Sequence, residues 1–181
     1  MRRIPGITRQ EEEQTLKETI TVAEKKVESV RENVARLKQE LHSMQEEFDT
    51  ADKEMQALWH TTDDMFKHVS QELGTAMQAR RKPYFGRIDF TDKKSGEKEA
   101  YYIGRSVVAE NPAEPMVIDW RAPIAGVYYG SSLGDMTYSV KGEGRYEIHL
   151  SRKRTYEIED DRLKDFYDSD VVANDELLTR Y

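Results

Sequence analysis

Glu46, Glu47, Asp49, Asp52 and Glu54 place five carboxylates within nine residues, with only Lys53 among them to offset the charge. Carboxylate oxygens are the ligands that hard divalent cations take, so such a cluster can perturb ion binding or repel nucleic acid. The plainer alternative is a Glu-rich helix surface. His60, Asp64 and His68 stand at i, i+4 and i+8 and share one helical face. That spacing can hold a metal, but a solvated face is the expectation and no metal site is assigned. Two basic triplets, Arg80-Arg81-Lys82 and Arg152-Lys153-Arg154, could touch RNA or acidic protein surface. The first equally suits a helix C-terminus neutralised by cations, and the second an ordinary polar strand. Trp120 is expected to pack in a sheet core, with Asp119 and Arg121 paired at a tight turn before Pro123. Arg87 and Arg105 are expected to bridge to carboxylates across the sheet, with phosphate contacts as the alternative. No Ser/His/Asp or Cys/His constellation can be assembled, so no catalytic residue is assigned and a free-standing enzyme has no pattern behind it.

The elements that position these groups follow from composition and spacing. The chain has 181 residues, 35% charged and 37% hydrophobic, with a formal net charge of −7. That balance suits a long solvated helix pair beside a modest globule better than one compact ball. Residues 1–82 carry 14 basic and 16 acidic groups, and residues 83–181 carry 14 and 19. Neither half has the basic excess of a stand-alone nucleic-acid binder, which favours a protein partner, with nucleic acid met only indirectly. The absence of cysteine excludes disulfides and thiolate zinc sites and is compatible with the cytoplasm. Met1 to Gly6 is followed by no apolar run, so neither a signal peptide nor a membrane span is expected.

Apolar residues recur at Leu16, Ile20, Ala23, Val27, Val30, Val34, Leu37, Leu41, Met44 and Phe48. They continue through Ala51, Met55, Leu58, Thr62, Met65 and Val69, with Leu73 and Met77 close behind. This 3.5-residue period is the signature of a coiled-coil seam, and no Gly or Pro interrupts it before Gly74. Each seam side chain buried on pairing contributes roughly 1.5–3 kcal/mol, so the stripe needs a partner helix. A fold-back with its turn near residues 48–54, where Asp49 or Thr50 can cap a new helix, splits residues 9–82 into arms of about 55–60 Å. Thr61-Thr62-Asp63-Asp64 is a second possible turn. A continuous helix in a parallel dimer would show the same heptads.

Character changes at Pro83. Short β-type runs follow at Tyr84–Phe90, Ala100–Val108, Pro115–Asp119, Gly126–Gly130, Met136–Val140, Arg145–Ser151 and Thr155–Glu159, with a further strand at Leu163–Tyr167. Hairpin-length links imply an antiparallel sheet or small barrel. Phe85-Gly86-Arg87 and Ile103-Gly104-Arg105 repeat one apolar-Gly-Arg step, and glycine inside a strand suggests a bulge or a close backbone approach. Asn174 reads as the N-cap of a helix that the chain enters at its end, as a fragment of a longer protein would.

Pro83-Tyr84-Phe85-Gly86-Arg87-Ile88-Asp89-Phe90, then Tyr102-Ile103-Gly104-Arg105, then Asp119-Trp120-Arg121-Ala122-Pro123-Ile124-Ala125 follow a charged helical segment in that order. In these strings the chain resembles the N-terminal region of HelD, a UvrD-like superfamily 1 ATPase of Gram-positive bacteria. The resemblance runs through Asp175. It implies a partner in core RNA polymerase, whose secondary channel a helical arm enters much as Gre factors do. It also implies an attached helicase-like ATPase that uses ATP and Mg in the full-length parent to strip nucleic acid and recycle stalled complexes. It marks Tyr84, Phe85, Gly86, Arg87, Asp89, Gly104, Arg105, Asp119, Trp120, Arg121 and Pro123 as family-motif residues, and it gives the acidic cluster a target in the polymerase catalytic magnesium. The Gly-x4-Gly-Lys-Ser/Thr phosphate loop is absent, so no cofactor is expected here and this chain alone should not hydrolyse ATP.

The expected fold is therefore α+β. A long antiparallel coiled-coil hairpin (residues 1–82) precedes a small antiparallel, barrel-like β domain (83–173), and residues 174–181 begin a helix leading to an absent ATPase domain. The expected function is a cytoplasmic polymerase-binding module. The alternative is a homodimeric coiled-coil scaffold with a β-rich protein-interaction domain.

Overall fold

A computed structural model describes residues 8–130 and 132–169; the helix expected from Asn174 lies outside the described residues. Helix α1 spans Arg9–Glu46 (38 residues). Its free N-terminal N–H groups are met by Thr8, whose hydroxyl accepts from the Glu11 amide at 3.2 Å, and Glu11 and Glu12 in the first turn suit the helix dipole. The chain reverses through a 3₁₀ turn at Phe48–Thr50. Asp52 then caps α2 (Lys53–Arg81, 29 residues) by accepting from the Met55 amide at 2.9 Å. Helix α2 stops just before Pro83, which disfavours helical backbone in the residue preceding it. It runs back along α1, and Lys26 meets Glu72 at 2.9 Å across the pair.

The expected coiled-coil hairpin on an antiparallel, barrel-like sheet needs correction on several counts. On α1 the period buries Leu16, Ala23, Val27, Val30, Leu37 and Leu41. On α2 it fails: Met55, Leu58, Met65 and Met77 are 40–50% exposed. Trp59, Phe66 and Val69 are half-buried and Thr62 and Ala76 buried. Trp59 and Phe66 each sit one residue beyond an expected seam position. Being larger than Leu58 and Met65, they take the inward face, because buried aromatic area outweighs a regular heptad. A uniform coiled-coil seam does not run through both helices, and the arms are unequal. The root of α1 is also not part of a separate arm. Leu16 and Ala23 belong to one apolar cluster with Tyr84, Tyr102, Val108, Val117, Tyr156, Ile158 and Leu163 of the sheet region.

The sheet has six strands: β1 Gly86–Asp92, β2 Lys98–Gly104, β3 Val117–Asp119, β4 Gly134–Val140, β5 Gly144–Glu159 and β6 Arg162–Asp168. The order is β3-β2-β1-β5-β4, with β6 also on β5. It is mixed, since β3 runs parallel to β2 with Tyr102 beside Val117. The loop between β2 and β3 supplies the crossover that a parallel pair demands. Arg145–Ser151 and Thr155–Glu159 are one strand of 16 residues, β5, whose first half pairs β4 and whose second half pairs β6. Gly126–Gly130 is not a strand. Pro123 starts a 3₁₀ segment, Pro123–Tyr129, whose Ala125 and Val127 are buried. These two join Ile88, Phe90, Ile103, Ile118, Ile148 and Leu150 in a second apolar cluster. Alternate residues such as Tyr102 and Ile103 thus serve opposite faces of the sheet, one covered by the α1 root and the other by the 3₁₀ segment.

Candidate functional site

Register across the sheet assembles a charged row beneath α1. Arg87 of β1 lies opposite Tyr102 of β2 and Arg154 of β5, and Arg154 lies opposite Asp168 of β6. Directly opposed residues share a face, so the four side chains line up under the first turns of α1, where Glu12 points down. Arg87 Nη1 donates to Glu12 Oε1 at 2.7 Å, and the Tyr102 hydroxyl donates to the same oxygen at 2.9 Å. Arg87 also grips Asp89 with two bonds, Nε to Oδ1 at 2.7 Å and Nη2 to Oδ2 at 3.0 Å. Arg154 grips Asp168 in the same way at 2.6 and 3.2 Å. Arg152 lies between the carboxylates of Asp89 and Asp168 at 3.4 and 3.7 Å. Three guanidinium groups therefore meet three carboxylates.

Glu12 and Arg87 are both 0% exposed. Burial opposes the Arg87 charge, but the Asp89 carboxylate bonded to it outweighs that cost and the guanidinium holds its proton more firmly than usual. Arg9 adds bonds to the carbonyls of Leu163 and Lys164. Glu12, Arg87 and Arg154 are closed off from solvent. Chemically the site is a clamp that fixes the root of α1 to four strands.

Around it Tyr84, Tyr102 and Tyr156 pack ring on ring, with centroids 4.4–5.7 Å apart. Burial, then neighbouring oxygens, raises the ionisation of all three above the ordinary tyrosine range. A raised folded-state value gives stability that is full below the unfolded value, about 10, and lost as pH climbs beyond it. In an alkaline absorbance titration, these three of the chain's 10 tyrosines are expected to ionise only as the far-UV helical signal collapses. All ten ionising near pH 10 with helix intact would overturn this.

The motif residues now have physical roles. Tyr84 belongs to the ring cluster, and Phe85 packs on Tyr128 with centroids 5.8 Å apart. Gly86 lies so close to Tyr128 that a Cβ would sit 2.6 Å from its ring. A Cβ on Gly104 would overlap the Pro83 carbonyl oxygen and approach Val117 Cγ1 to 2.9 Å. The repeated apolar-Gly-Arg step thus marks two close approaches. Pro123 opens the 3₁₀ segment.

Asp119 accepts from the Arg121 amide at 2.8 Å and from its guanidinium at 3.0 and 2.8 Å. Arg121 holds the Asp119 carboxyl below the usual range. This turn ejects Trp120 from the sheet after only three strand residues, so the expected core tryptophan is 47% exposed. Arg105, expected to bridge to a carboxylate, is exposed and has no ion pair among the described residues.

At the far end Glu46, Glu47, Asp49, Asp52 and Glu54 are all exposed. Phe48 holds the turn by packing on Trp59, centroids 5.4 Å apart, with His60 edge-on. His60, Asp64 and His68 are exposed, and among the described residues no three acidic or imidazole groups form a metal cluster. The basic triplets separate. Arg81 pairs with Asp160 at 2.9 Å at the end of α2, while Arg152 and Arg154 belong to the clamp. Glu12 was not among the expected site residues; its one signal in the sequence is an acidic residue four before Leu16, in register with the apolar stripe.

Among the described residues no helix is long and apolar enough to cross a membrane. The family model described as DNA helicase IV HelD, N-terminal domain, matches residues 9–178. No curated protein matches the chain.

Proposed function

Because this chain belongs to the HelD N-terminal domain family, we propose that it is the RNA polymerase-binding module of a HelD-like transcription-recycling ATPase. In this reading the free end of the helix pair enters the polymerase secondary channel, and its acidic turn acts near the catalytic magnesium to help release nucleic acid. ATP and Mg belong to the proposed parent's motor; this chain has no phosphate loop and acts without a cofactor, by contact alone, in the cytoplasm.

The sheet-facing apolar cluster takes no α1 residue beyond Ala23, so roughly 35 Å of α1 extends past it at 1.5 Å per residue, ending in five exposed carboxylates. Of these, Asp49, Asp52 and Glu54 have no ion pair among the described residues. A projecting pair with uncompensated charge at its end suits a probe. The homodimeric scaffold is less well supported, since α2 of the same chain covers the α1 stripe.

Co-migration of this chain with core polymerase tests the binding. Asp49→Asn with Asp52→Asn tests the acidic end. Asparagine still caps α2, so binding should persist while transcript release by the full-length parent falls several-fold. Unchanged release would overturn the role of the turn, and failure of the wild-type chain to co-migrate would overturn the binding.

A further inference from the structure

We propose that the groove between α2 and the β2–β3 region binds single-stranded nucleic acid, with a base stacked on Trp120 and phosphates met by Arg105 and Lys82. This goes beyond polymerase binding and does not depend on it. The groove holds about 670 Å³, and Lys82, Arg105 and Arg121 are the charged residues that line it, with no carboxylate among its lining. In a chain of net charge −7 that is a local reversal of sign. The neighbouring groove, which shares Lys82 and Arg105, carries Glu157 and Glu159, and the groove beside β4 carries Asp135 and Glu147. Arg121 is occupied by Asp119. Arg105 has no ion pair among the described residues, while Lys82 forms no bridge within 4 Å but lies in the field of Glu159 and Asp160.

The indole supplies the second element. Trp120 is 47% exposed, held there by its backbone N–H, which donates to the Gly104 carbonyl at 2.8 Å, and by the Asp119–Arg121 turn. The α2 wall of the same groove includes Gly74, and a Cβ there would meet nothing within 4 Å, which leaves space for a planar ring. An exposed aromatic flanked by exposed cations is the platform that unpaired bases use: the ring takes the base face and the cations take the backbone. A duplex hides its base faces, so the fit is to a single strand. An acidic peptide would use the cations but leave the indole unused.

Anisotropy of a fluorescein-labelled short oligothymidylate, titrated with the wild-type chain, tests this. Binding should saturate at low salt, and log K should fall with log salt with a slope of about −1.4, from two cations at about −0.7 each. Trp120→Ala and Arg105→Glu should each weaken binding by about tenfold or more, with far-UV spectra and thermal midpoints close to wild type, since both side chains are exposed. In a Trp59→Phe chain, whose remaining tryptophan is Trp120, the oligonucleotide should quench emission. Absence of binding at low salt, wild-type affinity in both variants, or displacement by polyglutamate at matched charge would each overturn the proposal, the last by making an acidic peptide the occupant.

Discussion

Replacing Arg87 with alanine is expected to lower the unfolding free energy by about 3–5 kcal/mol, the cost of stranding a buried charge. Glu12 and Asp89 both sit 2.7 Å from this guanidinium, and Glu12 is fully buried. Without Arg87 its remaining cation is Arg154 at 3.8 Å, which already serves Asp168. Urea unfolding followed by far-UV circular dichroism measures the loss. Glu12→Ala alone should also be costly, because Arg87 then loses one of its two carboxylate bridges at 2.7 Å. The double variant should cost less than the two singles summed, by about 0.5–3 kcal/mol, as expected when two residues of one network are removed together. A loss below about 1 kcal/mol for Arg87→Ala would show that the clamp does not hold the root of α1.

Gly104→Ala should destabilise by about 1–3 kcal/mol or more. The added methyl overlaps the Pro83 carbonyl oxygen and presses on Val117 Cγ1 at 2.9 Å. A backbone oxygen cannot turn aside as a side chain can, so β2 must move away from the segment that leads out of α2. Gly74→Ala is the counterpart. In mid-helix with nothing within 4 Å, it should stabilise by about 0.5–1 kcal/mol. Chemical denaturation of the two variants beside wild type reads both. Equal midpoints would show that the close approach at Gly104 carries no energetic weight.

Much of the helical half was legible because α1 is one amphipathic helix whose apolar stripe has few competitors. Leu16 to Leu41 could be read in order. On α2 two stripes stand one residue apart, Leu58 and Met65 against Trp59 and Phe66; the heptad period favours the first and aromatic area the second, and in the fold the aromatic pair faces inward. The sheet was harder. Arg152-Lys153-Arg154 reads as an ordinary polar strand between two separate runs, yet it joins them into β5, because its two arginines find carboxylates on other parts of the chain: Asp89, Asp168 and Glu12. Long-range pairing of this kind leaves no local period. Gly126–Gly130 carries β-branched and aromatic residues that suit a strand, and only Pro123 hints at the 3₁₀ start. Trp120 was expected inside on bulk alone, while the short-range Asp119–Arg121 turn, itself foreseen, is what turns it out. The glycines at 86 and 104 were readable as close approaches, but what they approach was not.

The placement of Glu12 has a mechanical consequence. From Glu12 to Ala23, α1 is bedded on the sheet for about 17 Å, and from Ala23 to Glu46 it overhangs for about 35 Å. It is a cantilever with a ratio of about two. A sideways load on the acidic turn arrives doubled at Glu12, and a displacement of 1 Å there would swing the turn by about 2 Å. The buried ion pair is the bolt at the inboard end, so its stiffness sets how firmly the turn can push against whatever it meets.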